Sequence, residues 1–596
     1  MTTALGPGHR AASVAKMAAE RFDVVVVGGG ITGTGAALDA ATRGLRVALI
    51  EATDYAAGAS SKSSKLIHGG LRYLEMLDFG LVREALTERG LLLTRLAPHL
   101  VRPVPFLWPL THRIWERPYV GSGLLLYDTM GGRRAVPRAR HLTRTGALAV
   151  APALRPDALV GGVQFYDAQE DDARMVACLA RTAAEHGAAL ATRVRMDSLV
   201  SRSGRVTSVR ASDRLTGSEL EIEARHVVLA TGAWTSRAAG TGAGELRVRP
   251  SKGVHIVVPR HRIAMNTGLL TRTEKSVLFV IPWGEHWLIG DTDTEWAFDP
   301  GHPVASRADI DYLLAKVNRL LREPLSAGDI EGVFAGLRPL VAASAGRNGQ
   351  PADTTKISRE HSVDTSVPGL SVIAGGKYTT YRVMARDLID AAVRDLAGGQ
   401  HAGRHAATRG TIPASRTDQV PVAGADGFSE LWLAREQLAG TSDLPVAQIE
   451  RLLGRYGSDV TDLLDLMARR PDLKNAVPGA SPYLGAEIVY ACTHEGAVRL
   501  DDVLSRRTRV RIELRDRGAE AAAHAAPLMA PVLGWDASRT AAQIAGYREM
   551  IAADLAAESM PDDQSAFQAA TRLAVLDLHP IPHATSHTQS TRDQGR

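Results

Sequence analysis

The spacing of apolar residues changes period several times along the chain, and each change marks an element. Residues 22–27, Phe-Asp-Val-Val-Val-Val, are a β-branched run of the kind buried in a parallel sheet. A glycine turn follows, then a helical pattern to about Arg43, then a second apolar strand ending at Glu51. Together they make a βαβ unit. Residues 53–72 are a polar Ser/Lys/Gly loop, and 78–97 repeat at the helical period. Residues 98–150 mix proline, arginine and aromatics, which predicts irregular structure. A helix is expected over 171–186, strands near 189–194, 205–211 and 219–224, and a buried strand at 226–230. Alternating strands and turns over 253–291 predict an antiparallel sheet. A helix at 308–323 follows. A short strand at 370–374 then runs through Gly-Gly-Lys into another helix. Residues 398–426, rich in Gly, Ala, His and Pro, read as a linker, and 427–577 as mostly helical.

This order predicts an α/β protein. A discontinuous Rossmann-like dinucleotide domain takes 21–100, 151–245 and 352–397. An antiparallel-sheet substrate or cap domain takes 101–150 and 246–351, and a helical domain takes 427–577. Residues 1–20 are expected as an N-terminal extension and 578–596 as a disordered polar tail.

Composition narrows the class. Over 596 residues, 45% hydrophobic and 23% charged, the chain is neither disordered nor fibrous. Its two cysteines, Cys178 and Cys492, exclude a disulfide framework and a cysteine-rich metal site, and fit a reducing compartment. The N-terminus lacks the apolar core of a signal peptide, and no stretch approaches a spanning helix. An intracellular protein, soluble or peripherally attached, is expected. The net charge of +5 is carried by 61 arginines and only nine lysines, a bias that gives no reason to expect nucleic acid. The charge is local. Residues 101–150 hold eight arginines against Glu116 and Asp128, together with Phe106, Leu107, Trp108, Trp115 and the run Leu124–Tyr127. That mixture reads either as a membrane-docking face or as a surface with some buried aromatics.

Gly28-x-Gly30-x-x-Gly33 sits between the first strand and helix, the dinucleotide fingerprint. The first glycine allows the turn, the second the approach of a pyrophosphate, and the third close helix–strand packing. Glu51 ends the second strand, where a carboxylate can accept from ribose hydroxyls. The fingerprint alone does not separate FAD from NAD. Three features favour FAD. The partner strands return hundreds of residues later; Val-Val-Leu-Ala-Thr-Gly-Ala-Trp (227–234) resembles the Ala-Thr-Gly element of two-domain flavoproteins; and the late Gly-Gly-Lys turn offers a second helix N-terminus to a flavin.

Several ordered segments carry a more specific resemblance. They are the stretch from Gly28 through Gly-Gly-Leu-Arg-Tyr-Leu-Glu at 69–75, then Lys-Gly-Val-His-Ile-Val-Val, Phe-Val-Ile-Pro-Trp, Leu-Ile-Gly-Asp-Thr-Asp-Thr, Gly-Leu-Arg-Pro-Leu, Lys-Ile-Ser-Arg-Glu-His and Gly-Gly-Lys-Tyr-Thr-Thr-Tyr-Arg. With the helical segment 487–509, they resemble the FAD-dependent, quinone-linked glycerol-3-phosphate dehydrogenases over about 20–515. The resemblance implies a D-amino-acid-oxidase-like FAD fold with a C-terminal helical domain. It implies oxidation of sn-glycerol 3-phosphate to dihydroxyacetone phosphate, a membrane quinone as acceptor, a peripheral place at the inner face of the cytoplasmic membrane, and a homodimer. Carried over by position, FAD contacts would be Gly28, Gly30, Gly33, Glu51, Ser60, Ser61, Ser64, Lys65, Leu66, Gly376, Lys377 and Thr379. Substrate contacts would be Arg72, Tyr73, His255, Arg338, Arg359 and Lys377.

The chemistry asks for a base, a hydride acceptor and cations for a phosphate. His255 suits the first, because an ordinary pKa near ~6.5 lets histidine accept a proton at physiological pH. In an apolar strand it reads first as a satisfied core histidine, and the resemblance reverses that in favour of the base. Arginine's planar fork suits phosphate, and Arg338 and Arg359 stand in the quoted motifs. Of nine lysines, Lys62, Lys65, Lys252 and Lys377 fall in these segments, as does Lys356, three residues before Arg359. Asp291 and Asp293 lack further clustered ligands, so a turn or sheet-edge role is expected and no metal. An oxygen-using glycerol-3-phosphate oxidase, an amine or amino-acid oxidase of the same fold, and a non-catalytic flavin-binding protein stand as alternatives.

Overall fold

A computed structural model describes residues 4–70, 78–112, 114–131, 136–239, 246–273, 277–341, 360–398 and 411–573. The valine run forms the strand Phe22–Val27, buried at every position. It pairs in parallel with Val47–Glu51 on one side and with Glu219–Leu229 on the other. Leu370–Gly375 and His361–Asp364 extend this sheet beyond Glu219–Leu229, and Ala189–Thr192 closes its other edge. The helices Ile31–Thr42, Asp172–Glu185 and Tyr381–Gly398 cover one face, with Val24, Val26, Leu49 and Leu388 in a shared core. The opposite face carries a separate core of Phe22, Val25, Val27 and Ile50 under the ribbon Val194–Arg202/Arg205–Asp213. Both faces are covered, which is why the strands read as continuous apolar runs.

The second sheet builds the substrate side. Its long central strand Val248–Pro259 pairs with Gly332–Val341 and with His286–Gly290, both antiparallel. The sheet continues through Val277–Trp283, Gly268–Arg272, Arg102–Leu110 and Gly161–Gln169 to the two-residue strand Leu66–Ile67. Leu66–Ile67 leaves the serine-lysine loop, so this strand ties the dinucleotide domain to the substrate sheet.

Four expectations change. Residues 98–150 are not irregular: they hold the strand Arg102–Leu110 and the helix Glu116–Met130. Gly161–Gln169, assigned to the dinucleotide domain, belongs to the substrate sheet, where it pairs with Arg102–Leu110 along its length. The N-terminal extension contains a helix, Pro7–Ala19, fixed by fully buried Met17 and by an ion pair between Arg10 and Asp213 at 2.8 Å. The described part of the expected linker is packed. Val422 N donates to Leu96 O, and Ala423 N donates to the Thr182 hydroxyl. The expected disordered tail lies outside the described residues.

The helical domain has its own core from Val446–Tyr456, Val460–Arg469, Gly485–His494 and Ala519–Leu533. The last described helices, Ala537–Glu558 and Asp563–Leu573, return to the substrate side. There Asp563 and Asp309 both pair with fully buried Lys252. Lys252 is thereby a structural cation, not a free one beside the substrate.

Candidate active site

The site is built where the two sheets meet. On the dinucleotide side, three glycines make a turn that side chains could not enter. Gly28 has φ +115°, and a Cβ there would lie 2.4 Å from Ala230 O. A Cβ on Gly33 would lie 1.9 Å from Gly28 O, so the helix is seated directly on the turn. Gly30 caps the helix Ile31–Thr42, and the Ser60 hydroxyl accepts from Ile31 N at 3.0 Å. The Ala-Thr-Gly segment abuts this turn, with Ala230 N donating to Val27 O. Glu51 accepts from Gly29 N and Thr53 N, both at 2.7 Å; burial pushes its carboxyl above the ordinary range. A bare turn, a helix N-terminus behind it and a fixed carboxylate fit the pyrophosphate and ribose of a dinucleotide cofactor.

The loop that follows reaches across to the other sheet. Ser61 and Lys65 are buried, and Lys65 has φ +56°, a left-handed conformation costly for a residue with a side chain. Its ammonium donates to Ser61 O at 3.1 Å and to Asp172 at 3.0 Å, so the side chain is committed inside the protein. The Ser64 hydroxyl lies 3.0 Å from His255 Nε2. At the far side, Gly375 and Gly376 take φ +78° and +84°, and Lys377 precedes the turn Tyr378–Thr380 and the helix Tyr381–Gly398. The Thr379 hydroxyl accepts from His68 N at 3.1 Å, which fixes the Gly-Gly-Lys turn to the end of the serine-lysine loop.

On the substrate side, His255 and Arg338 stand on neighbouring strands. The register pairs His255 with Phe334 and Ser251 with Arg338. His255 is 2% exposed and stacks on Phe334 at 4.9 Å between ring centroids, 5° from parallel. Burial lowers its pKa to about 4, against a smaller upward pull from Asp291, so the ring is neutral at physiological pH. Nδ1 has no hydrogen-bond partner among the described residues. Ser64 therefore decides which nitrogen keeps a lone pair. If Nε2–H donates to Ser64, Nδ1 is the base; if Ser64 donates, Nε2 is engaged. The Arg338 guanidinium pairs with Asp291 and donates to Thr292 O at 3.0 Å.

Sequence reasoning missed three participants. Asp291, expected at a turn or sheet edge, is the carboxylate that holds Arg338 and acts on His255. Phe334 is the wall of the histidine. Asp172, at the start of the helix Asp172–Glu185, anchors Ser63 and Lys65. Two adjacent aspartates at the start of the expected helix were the available signal. Arg72, Tyr73 and Arg359 lie outside the described residues. No group of three or more metal-ligating side chains occurs among the described residues.

Comparison with known proteins adds a family. Residues 23–382 match the model of the FAD dependent oxidoreductases, and 415–540 that of the C-terminal domain of alpha-glycerophosphate oxidase. A glycerol-3-phosphate dehydrogenase of Mycobacterium leprae is 50% identical over 95% of this chain and 94% of its own. The human mitochondrial glycerol-3-phosphate dehydrogenase is 35% identical over 91% of this chain and 75% of its own. The crystal structure of a glycerol-3-phosphate dehydrogenase from Bacillus halodurans complexed with FAD superposes with a TM-score of 0.73 at 26% identity, covering 92% of this chain and 98% of that one.

Proposed function

The chain belongs to the FAD-dependent glycerol-3-phosphate dehydrogenase family, and on that premise we propose that it oxidises sn-glycerol 3-phosphate to dihydroxyacetone phosphate and passes the electrons to a membrane quinone. The contact between His255 and Ser64 is the observation that carries the reading. It joins a buried neutral histidine on the substrate sheet to the loop of the dinucleotide domain. FAD, when bound, supplies the hydride acceptor at its N5.

The protein's own groups do the rest. Gly28, Gly30, Gly33 and the N-terminus of Ile31–Thr42 would receive the pyrophosphate, and Glu51 a ribose. Ser60, Ser61, Ser64, Lys65, Leu66, Gly376 and Thr379 would line the remainder of the cofactor site. His255 takes the proton from the substrate's secondary hydroxyl. Its low pKa keeps the lone pair available. Arg338 holds the phosphate, exchanging part of its pairing with Asp291 for the incoming oxygens, and Lys377, Arg72, Tyr73 and Arg359 complete the substrate contacts. The walls around His255 exclude water, so the cation and the base act in a low dielectric.

Quinone as acceptor calls for contact with a bilayer. No helix among the described residues is long and apolar enough to cross a membrane. Of the two readings of this stretch, Phe106, Leu107, Trp108, Leu124 and Tyr127 follow the one with buried aromatics, because Arg102–Leu110 is an interior strand of the substrate sheet and Leu124 and Tyr127 face inward. Among the described residues of 101–150, the exposed large apolar side chains are Ile114 (87%), Trp115 (54%), Tyr119 (48%), Leu125 (66%) and Leu126 (40%), on or beside the helix Glu116–Met130. Arg138, Arg140 and Arg144 are exposed nearby in sequence, while Arg133 and Arg134 lie outside the described residues. We assign peripheral membrane attachment to this helix, and retain the homodimer and cytoplasmic face implied by the family. Each buried side chain of this size is worth about 1.5–3 kcal/mol. Trp115→Ser and Leu125→Ser should therefore each weaken co-sedimentation with anionic vesicles about tenfold or more, while leaving turnover with a soluble dye acceptor intact. Undiminished vesicle binding would remove this face. With quinone in those vesicles, the parent enzyme should reduce quinone and yield little hydrogen peroxide under air. Stoichiometric peroxide would make it an oxidase.

A further inference from the structure

The helical domain sends one segment between the two sheets, and its contacts bear on the catalytic loop. Arg509 is 1% exposed. Its guanidinium pairs with Asp171, with Nε at 3.0 Å, and with Asp172, which is fully buried. Asp172 in turn accepts from Ser63 N at 3.0 Å, from the Ser63 hydroxyl at 2.7 Å and from the Lys65 ammonium at 3.0 Å. Ser63 and Lys65 flank Ser64, whose hydroxyl meets His255. The same segment touches the other wall. Ile512 O lies where a Cβ on Gly332 would stand, at 2.0 Å, and Glu513 accepts from Trp283 Nε1 at 2.8 Å. Trp283 and Phe334 both face the Lys65 ammonium, at 5.6 and 5.0 Å from their ring centroids. Phe334 is the ring on which His255 stacks.

We propose that Arg509 is a positioning residue for the proposed oxidation: acting through Asp172, it holds Ser63–Lys65 in the conformation that lets Ser64 orient His255. The helical domain thereby completes the active site without touching substrate. The inference rests on His255 as base. The strained backbone at Lys65 gives it a physical reason. A left-handed φ at a lysine persists only where its surroundings enforce it, and Asp172 provides two of the enforcing contacts. Without Arg509, Asp172 would keep Lys65 as its counter-ion but lose the cation that engages Oδ1, the contact that leaves Oδ2 facing Ser63 N and the Ser63 hydroxyl.

The test compares Arg509→Met with Arg181→Met in the full-length holoenzyme. Arg181 also crosses from the dinucleotide domain to the helical domain, where it pairs with Asp459 and lies over the Tyr490 ring, nine residues along the helix from Asp172. Both variants are expected to unfold at lower temperature. Arg509→Met should also slow flavin reduction by glycerol 3-phosphate in anaerobic single turnover about 10- to 100-fold, with KM little changed, as a small displacement of a reacting group does. Arg181→Met should stay within roughly twofold of the parent. Arg509→Lys, which keeps the charge but not the fork, should fall between. Equal rates for Arg509→Met and the parent, or equal losses in Arg509→Met and Arg181→Met, would overturn the positioning role. If Arg509→Met does not fold or hold FAD, Arg509→Lys decides on the same criterion. A parent enzyme that glycerol 3-phosphate leaves oxidised would refute the substrate alone. The relay would then be read from the visible spectrum of bound flavin, which Arg509→Met should shift and Arg181→Met should not.

Discussion

His255→Ala should slow flavin reduction in anaerobic single turnover by about 10²- to 10⁴-fold, the range carried by a positioned general base. The bound flavin and the substrate KM should change little, because neither the glycine turn nor Arg338 rests on the imidazole. A rate within about twofold of the parent would remove His255 as base. The pH dependence gives the same claim a second reading. Burial holds the folded-state pKa near about 4, well below the ordinary value. The neutral ring is thus favoured by folding, and the unfolded chain binds the extra proton between about pH 6.5 and 4. Stability contributed by this site is present above the unfolded pKa and is lost as pH falls through that window. Flavin reduction at saturating substrate should likewise hold its rate as pH drops to 6 and fall only below it. An acid limb at the ordinary histidine pKa would mean that the ring is solvated in the working enzyme.

The second large effect is at Arg338. Truncating a hydrogen-bonded cation beside a bound anion costs about 2–5 kcal/mol, and the fifth of the side chain left exposed places this case toward the lower end. Arg338→Ala should therefore cut kcat/KM for glycerol 3-phosphate by about 30-fold or more. The loss has three sources: the phosphate loses its fork, Asp291 loses its partner, and an unpaired carboxylate then faces the dianion. Arg338→Lys should recover only part, since an ammonium cannot bind two oxygens in one plane. Glycerol, which has no phosphate, should be oxidised equally poorly by parent and variant. If Arg338→Ala lowered activity toward glycerol as steeply as toward the phosphate ester, the residue would be acting on the chemistry and not on the phosphate.

What could be read ahead of the structure followed local rules. Phe22–Val27, the glycine turn and Val47–Glu51 were legible because a doubly covered parallel strand has no polar face to interrupt it. The strand Arg102–Leu110 was not, because Pro103, Pro105 and Pro109 argue against pairing. It pairs fully with Gly161–Gln169 but meets Gly268–Arg272 only at Phe106 and Leu107, so the missing donors cost few ladder bonds. His255 and Arg338 could be named from their motifs. Asp291 could not be assigned to them, because its role depends on the register that sets His286–Gly290 and Gly332–Val341 on either side of Val248–Pro259. Arg509 was harder still. Among 61 arginines, nothing in its neighbourhood tells that its partner lies 337 residues away.

The most direct measurement is to mix the purified holoenzyme with sn-glycerol 3-phosphate in the absence of oxygen and follow the oxidised-flavin absorbance. Complete bleaching is expected, with one dihydroxyacetone phosphate formed per flavin. Flavin that stays oxidised with this substrate, and is bleached instead by an amine or amino acid, would contradict it.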